Sequence, residues 1–182
     1  MVHLFLANGF EEIEALATLD ILRRANIEVN TVSISGARMV KGAHGISVKA
    51  DAIFRKGETE MSDCIILPGG MPGAENLRMH EGLRRTLKVQ SKRGGYIAAI
   101  CASPAVVLGS CGLLNGKRAT SYPGTEQIEH NANYVNDGVV VDGNIITAKA
   151  PGCTFDFAFK IVEALKGIDE VNRVKQNMCL KM

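Results

Sequence analysis

Short, unbroken apolar runs alternate along the chain with longer amphipathic stretches. The run VHLFLA (2–7) is nearly continuous, the pattern of a strand buried on both faces, and Asn8-Gly9 ends it. EEIEALATLDILRRAN (11–26) then spreads its apolar residues over several turns, with acids in the first turn, arginines in the last and Asn26 as a stop. That pattern predicts a helix. EVNTVSI (28–34) predicts a second strand directly after it. Connections this short imply two parallel strands joined by a right-handed crossover.

The alternation continues. Gly42 to Gly45 marks a hairpin, CIILP (64–68) a buried strand, 81–93 a helix, YIAAI (96–100) a strand, and the segment from about Ser103 another helix. A short extended piece over Arg118 to Ser121 precedes two strands near VVVDG and NIITAKA (139–149). CTFDFAFKIVEALKG (153–167) predicts a helix that stops at Gly167, and 168–178 predicts one more. No linker, repeat or low-complexity segment interrupts the series, so residues 1–182 are expected to form one domain. The fold class is α/β: a doubly wound, mostly parallel sheet with helices on both faces.

Composition narrows the function classes. With 46% hydrophobic and 22% charged residues, 182 residues suffice for one well-formed core. The net charge of +2 is dispersed, with no Lys/Arg block longer than a pair such as Arg23-Arg24 or Arg84-Arg85. No nucleic-acid partner is expected. The N-terminus lacks the features of a signal peptide, and no run reaches the roughly 18 to 20 apolar residues that span a bilayer, so a cytoplasmic location without membrane contact is expected. The five cysteines are odd in number and show no C-x-x-C pairing, which argues for reduced thiols. Neither a metal nor a cofactor is expected.

In sheets of this kind ligands bind beyond the carboxyl ends of the strands. Three unusual features stand at predicted strand ends: Asn8-Gly9 with the acids after it, PGGMPG (68–73), and Cys101. A side chain at a tight strand-to-helix turn points out over the sheet edge, towards the unpaired N–H groups of the next helical turn. Those donors and the helix dipole are expected to stabilise a thiolate at Cys101 and lower its pKa. The small neighbours Ala99, Ala102 and Ser103 leave the turn uncrowded. A free cysteine is more commonly a small buried hydrophobe, and position alone leaves both readings open. Cys64, Cys111, Cys153 and Cys179 are assigned to packing, although Cys153 also stands at a helix start.

The two glycines of PGGMPG let backbone amides approach a ligand closely, as an oxyanion donor requires. The alternative is a turn that simply needs positive φ. Glu11, Glu12 and Glu14 crowd one helical turn. Glu11 and Glu12 are expected on a solvated face, complementing the helix dipole. One acid of the three is available to face Cys101, where burial would raise its pKa and let it donate to a thiolate; spacing does not choose which. Of the histidines, His3 lies in the first strand, His80 and His130 in polar helix flanks, and His44 in the hairpin, so no Cys-His dyad is marked.

The joint occurrence of GFEEIEAL (9–16), ILPGGMPGAENL (66–77), AAICASPAVVL (98–108), TSYP (120–123), APG (150–152) and TFDFAFKIVEAL (154–165) resembles the ThiJ/PfpI superfamily. Within it, the chain is most similar to the branch of the Parkinson-disease-linked protein deglycase and its small bacterial homologues. The resemblance spans essentially the whole chain. It implies a flavodoxin-like three-layer sandwich and a homodimer. It places the nucleophile on Cys101 at a strained elbow, the carboxylic acid that hydrogen-bonds the thiol on Glu14, and an anion pocket on the amides of Gly70 and Ala102 beside Gly69. Tyr122 and Pro151, the latter in the Ala150-Pro151-Gly152 turn, fall on the pocket wall, and Arg24 on the dimer face.

Three departures matter. Protease-like members carry histidine directly after the cysteine, where this chain has Ala102, which disfavours a peptidase. Some close relatives have histidine where Tyr122 stands, and one has an arginine where His44 stands. The resemblance implies a cysteine-dependent glyoxalase or deglycase acting on methylglyoxal-type α-oxoaldehydes or their adducts, without a cofactor. The alternative is a non-enzymatic redox sensor or chaperone in which Cys101 is oxidised to a sulfinate.

Overall fold

The computed structural model describes residues 1–57, 61–128 and 131–180. β1 (Val2–Leu6) is buried at every position, as its continuous apolar run requires, and lies inside a seven-stranded sheet. α1 (Glu12–Arg24) returns the chain to β2 (Val29–Ser33), parallel to β1 with Val2 opposite Val29. Asn26 ends the helix turn at φ 52°, a left-handed conformation that asparagine tolerates. β3 (Met39–Lys41) and β4 (Ser47–Lys49) form the hairpin expected around Gly42 to Gly45, and β5 (Ala52–Ile53) adds a short edge strand beside β2.

β6 (Cys64–Leu67) is fully buried and pairs with β1. The helix expected over 81–93 is α3 (Glu81–Lys92), and α2 (Gly73–Met79) precedes it. The sequence hides α2 because its first turn grows directly out of PGGMPG, whose glycines and prolines read as a turn. β7 (Tyr96–Ile100) pairs parallel with β6. The helix expected from Ser103 is instead a π-helical turn over Pro104–Leu108 that closes as a 3-10 turn over Gly109–Cys111. Pro104 has no N–H, and the N–H of Ala105 goes to Ser121 Oγ, so this turn is held partly from outside itself.

β8 (Arg118–Ala119) pairs with β9 (Asn133–Tyr134) in a small separate sheet. β10 (Val139–Asp142) and β11 (Ile145–Ala148) form a hairpin, and β11 pairs parallel with β7. The main sheet therefore runs β10-β11-β7-β6-β1-β2-β5, parallel except at β10. α4 (Thr154–Lys166) and α5 (Ile168–Asn177) meet at Gly167, whose φ of 86° turns the chain between them. α4 packs on α1 and α5, while α2 packs on α3 and the π-helical turn, which gives helices on both faces of the sheet. No helix among the described residues is long and apolar enough to cross a membrane.

The topology gathers the loops after β1, β6 and β7 at one edge, because these three strands are parallel neighbours. A large cavity of about 650 Å³ sits at the opposite, amino end of the strands, against Met1, Asp63 and Tyr96. Its size does not make it the site, because the reactive groups converge at the other edge.

Candidate active site

Cys101 directly follows β7 and has a φ of 63°. This left-handed backbone costs a non-glycine residue about 1–2 kcal/mol, so something must hold it. Hydrogen bonds on both sides of the residue do so. The Cys101 N–H donates to Ala148 O at 2.9 Å, and the Cys101 carbonyl accepts from Tyr122 N–H at 2.7 Å and from Ser121 Oγ at 2.9 Å. Ser103 Oγ donates to Pro68 O at 2.6 Å, tying the turn to the end of β6. The result is a sharp elbow in which Cys101 remains 8% exposed.

Glu14 reaches the thiol from the first turn of α1. Glu11 caps that helix, its Oε2 accepting the Glu14 N–H at 2.7 Å. The Glu14 side chain is buried, and its Oε2 accepts the Gly69 N–H at 2.7 Å. Its other oxygen, Oε1, is buried without a nitrogen or oxygen donor. Glu14 and the Cys101 thiol interact directly through their side chains, which sets the carboxyl beside the sulfur.

Gly69 and Gly70 are required by close approach. A Cβ on Gly69 would stand 2.6 Å from Cys101 Cβ and 2.8 Å from Glu14 Oε2. Gly70 has φ 87°, and a Cβ there would stand 2.5 Å from Glu11 N and from Gly9 O. The N–H groups of Gly70 and Ala102 face the Cys101 sulfur as hydrogen-bond donors. Cys101, Glu14, Gly69, Gly70 and Ala102 are thus brought together, with Gly9 packed beneath the loop.

The thiol's electrostatics differ from the simple lowering expected of a helix end. Burial and the neighbouring Glu14 carboxylate push Cys101 up to about 12, and the Gly70 and Ala102 amides oppose this without overcoming it. Burial also pushes Glu14 up to about 7, against the hydrogen bonds from Cys101 and Gly69 and helped by the Glu11 charge. The two groups interact directly and titrate as one pair. Two negative charges side by side in this buried site are strongly disfavoured, so over a wide pH range the pair carries one.

Glu11 and Glu12 do not lie on a solvated face. They are 7% and 5% exposed: Glu11 is engaged as the helix cap, and Glu12 is covered by the β3–β4 hairpin, whose His44 Nδ1 lies 2.7 Å from Glu12 Oε2. A hairpin that folds over a helix start is a tertiary event, which local pattern does not report. His3 bonds Ser62 Oγ at 2.6 Å in β1, His80 caps α3, and His130 lies outside the described residues. Among the described residues no histidine bonds Cys101 or Glu14.

Tyr122 is 47% exposed and reaches the elbow through its backbone N–H. Pro151 opens a 3-10 turn three residues beyond Ala148 and accepts from Thr154 Oγ1 at 2.7 Å, so it shapes the entry to α4. The part Ser121 and Ser103 play in holding the elbow is absent from the sequence reading, which takes Ser103 only as a small neighbour and Ser121 only as part of a motif, because hydroxyls that act through backbone carbonyls leave no local pattern. Cys64 is sealed in β6, where burial holds its thiol far above the ordinary range.

The DJ-1/PfpI family matches residues 1–164, nine-tenths of the chain. The chain belongs to the DJ-1/PfpI family. It is 36% identical over 171 residues to the glutathione-independent glyoxalase DJR-1.2 of Caenorhabditis elegans, covering 93% of this chain and 90% of that one. It is also 36% identical over 178 residues to protein DJ-1 homolog A of Arabidopsis thaliana, covering 97% of this chain. The DJ-1/PfpI chain described here spans only 45% of that plant protein's length. Among solved structures, oxidized DJ-1 of Toxoplasma gondii superposes with a TM-score of 0.95 at 38% identity, covering 100% of this chain and 98% of that one. The expected flavodoxin-like fold is thereby shown.

Proposed function

We propose that this DJ-1/PfpI protein is a cysteine-dependent glyoxalase of methylglyoxal-type α-oxoaldehydes, or a deglycase of their early adducts. The observation that carries the reading is the strained Cys101 elbow, with its thiol against the buried Glu14 carboxyl and the Gly70 and Ala102 amides. The glyoxalase name of the Caenorhabditis elegans relative supports it.

Glu14 carries the charge of the pair at neutral pH in this reading and serves as the base for the thiol. Two N–H donors face the sulfur and stabilise the charge it takes on. As the Cys101 sulfur adds to the aldehyde carbon, Glu14 takes the thiol proton and passes it to the carbonyl oxygen, forming a hemithioacetal. The Glu14 carboxylate then takes the proton from that carbon, and the proton returns to the neighbouring ketone carbon. The hydroxyl proton on the first carbon passes to the ketone oxygen, so the first carbon is oxidised to a thioester as the second is reduced to an alcohol. Water hydrolyses the thioester, releasing lactate and restoring the thiol. The Gly70 and Ala102 amides stabilise oxyanions formed along this path.

Family members are typically dimeric, and a homodimer is proposed here. Ile13, Ile46 and Met71, all more than half exposed around the Glu12 hairpin and the Gly70 loop, suit a face covered by a second copy. A cytoplasmic location belongs to the same proposal.

A second reading is redox sensing, favoured by the same donors. A Cys101 sulfinate would place its oxygens on the Gly70 and Ala102 amides and on protonated Glu14.

Lactate production from methylglyoxal, with trace metals and free thiols controlled, separates the readings. Cys101→Ser and Glu14→Gln are each expected to abolish it. Wild-type rates in either variant would overturn the enzymatic reading.

A further inference from the structure

One turn before Glu14, a second cluster forms that the proposed chemistry does not use. Glu11, Glu12 and His44 each bring a ligand atom within 4.8 Å of the others, and they are the only such three-residue group among the described residues. We infer that Glu11, Glu12 and His44 form a binding site for a divalent transition-metal ion of the zinc type.

The separations suit such an ion. His44 Nδ1 lies 2.7 Å from Glu12 Oε2 and 3.9 Å from Glu11 Oε1. Ligand atoms about 2.1 Å from a tetrahedral zinc ion stand about 3.4 Å apart, between these two values. Changes of under about 1 Å in these two separations, with the third already within 4.8 Å, convert the cluster into a three-ligand site. His44 is 70% exposed at its side chain within one chain, which leaves the fourth position to water or to a group of the second copy proposed to cover this face.

Two further observations point to a ligand. Glu11 is 7% exposed, yet its Oε1 faces His44 at 3.9 Å, too long for a hydrogen bond, so a carboxylate oxygen of a buried residue points into the cluster without a donor. No Lys or Arg among the described residues pairs with Glu11 or Glu12 to balance the two acids. Glu12 is also held as a ligand should be. Its Oε1 accepts the His44 N–H at 2.7 Å and the Ile46 N–H at 3.4 Å, which orients Oε2 towards the cluster. Gly42 permits that grip, since a Cβ there would stand 2.3 Å from Glu12 Oε1. Ala43 N–H donates to Phe10 O at 2.8 Å, tying the hairpin to the helix entry.

The donor set selects the ion class. Imidazole with two carboxylates suits zinc, manganese or cobalt, whereas magnesium and calcium take oxygen ligands and copper(I) takes sulfur. The sequence concealed the site because His44 lies 32 residues from Glu12.

Calorimetric titration of the full-length protein with Zn²⁺ tests the assignment. One ion per chain is expected to bind in wild type and equally in Cys101→Ser, with affinity lowered about tenfold or more in His44→Ala and in Glu11→Gln. His44→Ala alters an exposed hairpin residue, so the fold should survive, and circular dichroism checks this. Co²⁺ is expected to give visible bands without sulfur-to-metal charge transfer. Absence of Zn²⁺ binding, unchanged affinity in either cluster variant, or loss of binding in Cys101→Ser would each overturn the proposal.

Discussion

Gly69 donates its N–H to Glu14 Oε2 at 2.7 Å, and a methyl group on Gly69 would stand 2.8 Å from that same oxygen. The bond thus depends on the missing side chain. Gly69→Ala must displace either Glu14 or the elbow, with overpacking that costs about 1–3 kcal/mol. Gly70→Ala adds left-handed strain of about 1 kcal/mol at φ 87°. Urea unfolding is expected to show both variants destabilised, Gly70→Ala more so, and both should lose selective alkylation of Cys101. Normal alkylation in Gly69→Ala would contradict the Glu14 geometry.

The coupled pair makes a pH prediction. With EDTA present, iodoacetamide modification of wild-type Cys101 is expected to be slow at pH 7 and to accelerate towards high pH, because burial and the Glu14 carboxylate push the thiol up to about 12. Glu14→Gln removes that charge and leaves a donor for the thiolate, so the inflection should move down by about one pH unit or more. An unmoved inflection in Glu14→Gln would separate the thiol from the carboxyl.

Backbone strain at Cys101 can be isolated from its chemistry. Cys101→Gly and Cys101→Ala both remove the thiol, but only glycine accepts φ 63° freely. Chemical denaturation is expected to rank Cys101→Gly above Cys101→Ala by about 1 kcal/mol, the reverse of the usual order in regular structure.

Asp51 ties β2 to the strand after the hairpin. Its Oδ2 accepts from Thr31 N–H at 3.0 Å, Thr31 Oγ1 at 2.8 Å and Arg23 at 3.0 Å. Burial works to raise its pKa, but these bonds outweigh burial and hold it below the ordinary 3.8. A carboxylate depressed in the folded state adds stability above 3.8 and loses it as pH falls through the folded value. Asp51→Asn is expected to cost about 1 kcal/mol at pH 7, no more because the side chain is half exposed. Thermal unfolding should show that difference shrinking below pH 3.8; a constant difference would point to packing instead.

Strand and helix alternation was legible because buried parallel strands need unbroken apolar runs, and VHLFLA, CIIL and YIAAI supply them. Cys101 was legible as a thiol at a strand end, since the elbow is a local junction. What the residues alone left open was which acid faces it. Glu11, Glu12 and Glu14 share one helical turn and look alike in a linear pattern, although the family blocks singled out Glu14. The tertiary structure separates two of them through contacts from elsewhere in the chain, since the Gly69 amide draws Glu14 inward and the hairpin carrying His44 covers Glu12, while one oxygen of Glu11 caps the helix locally. The thiol's pKa was likewise undetermined by position, because burial and a neighbouring carboxyl oppose the helix-end amides and only packing sets their balance.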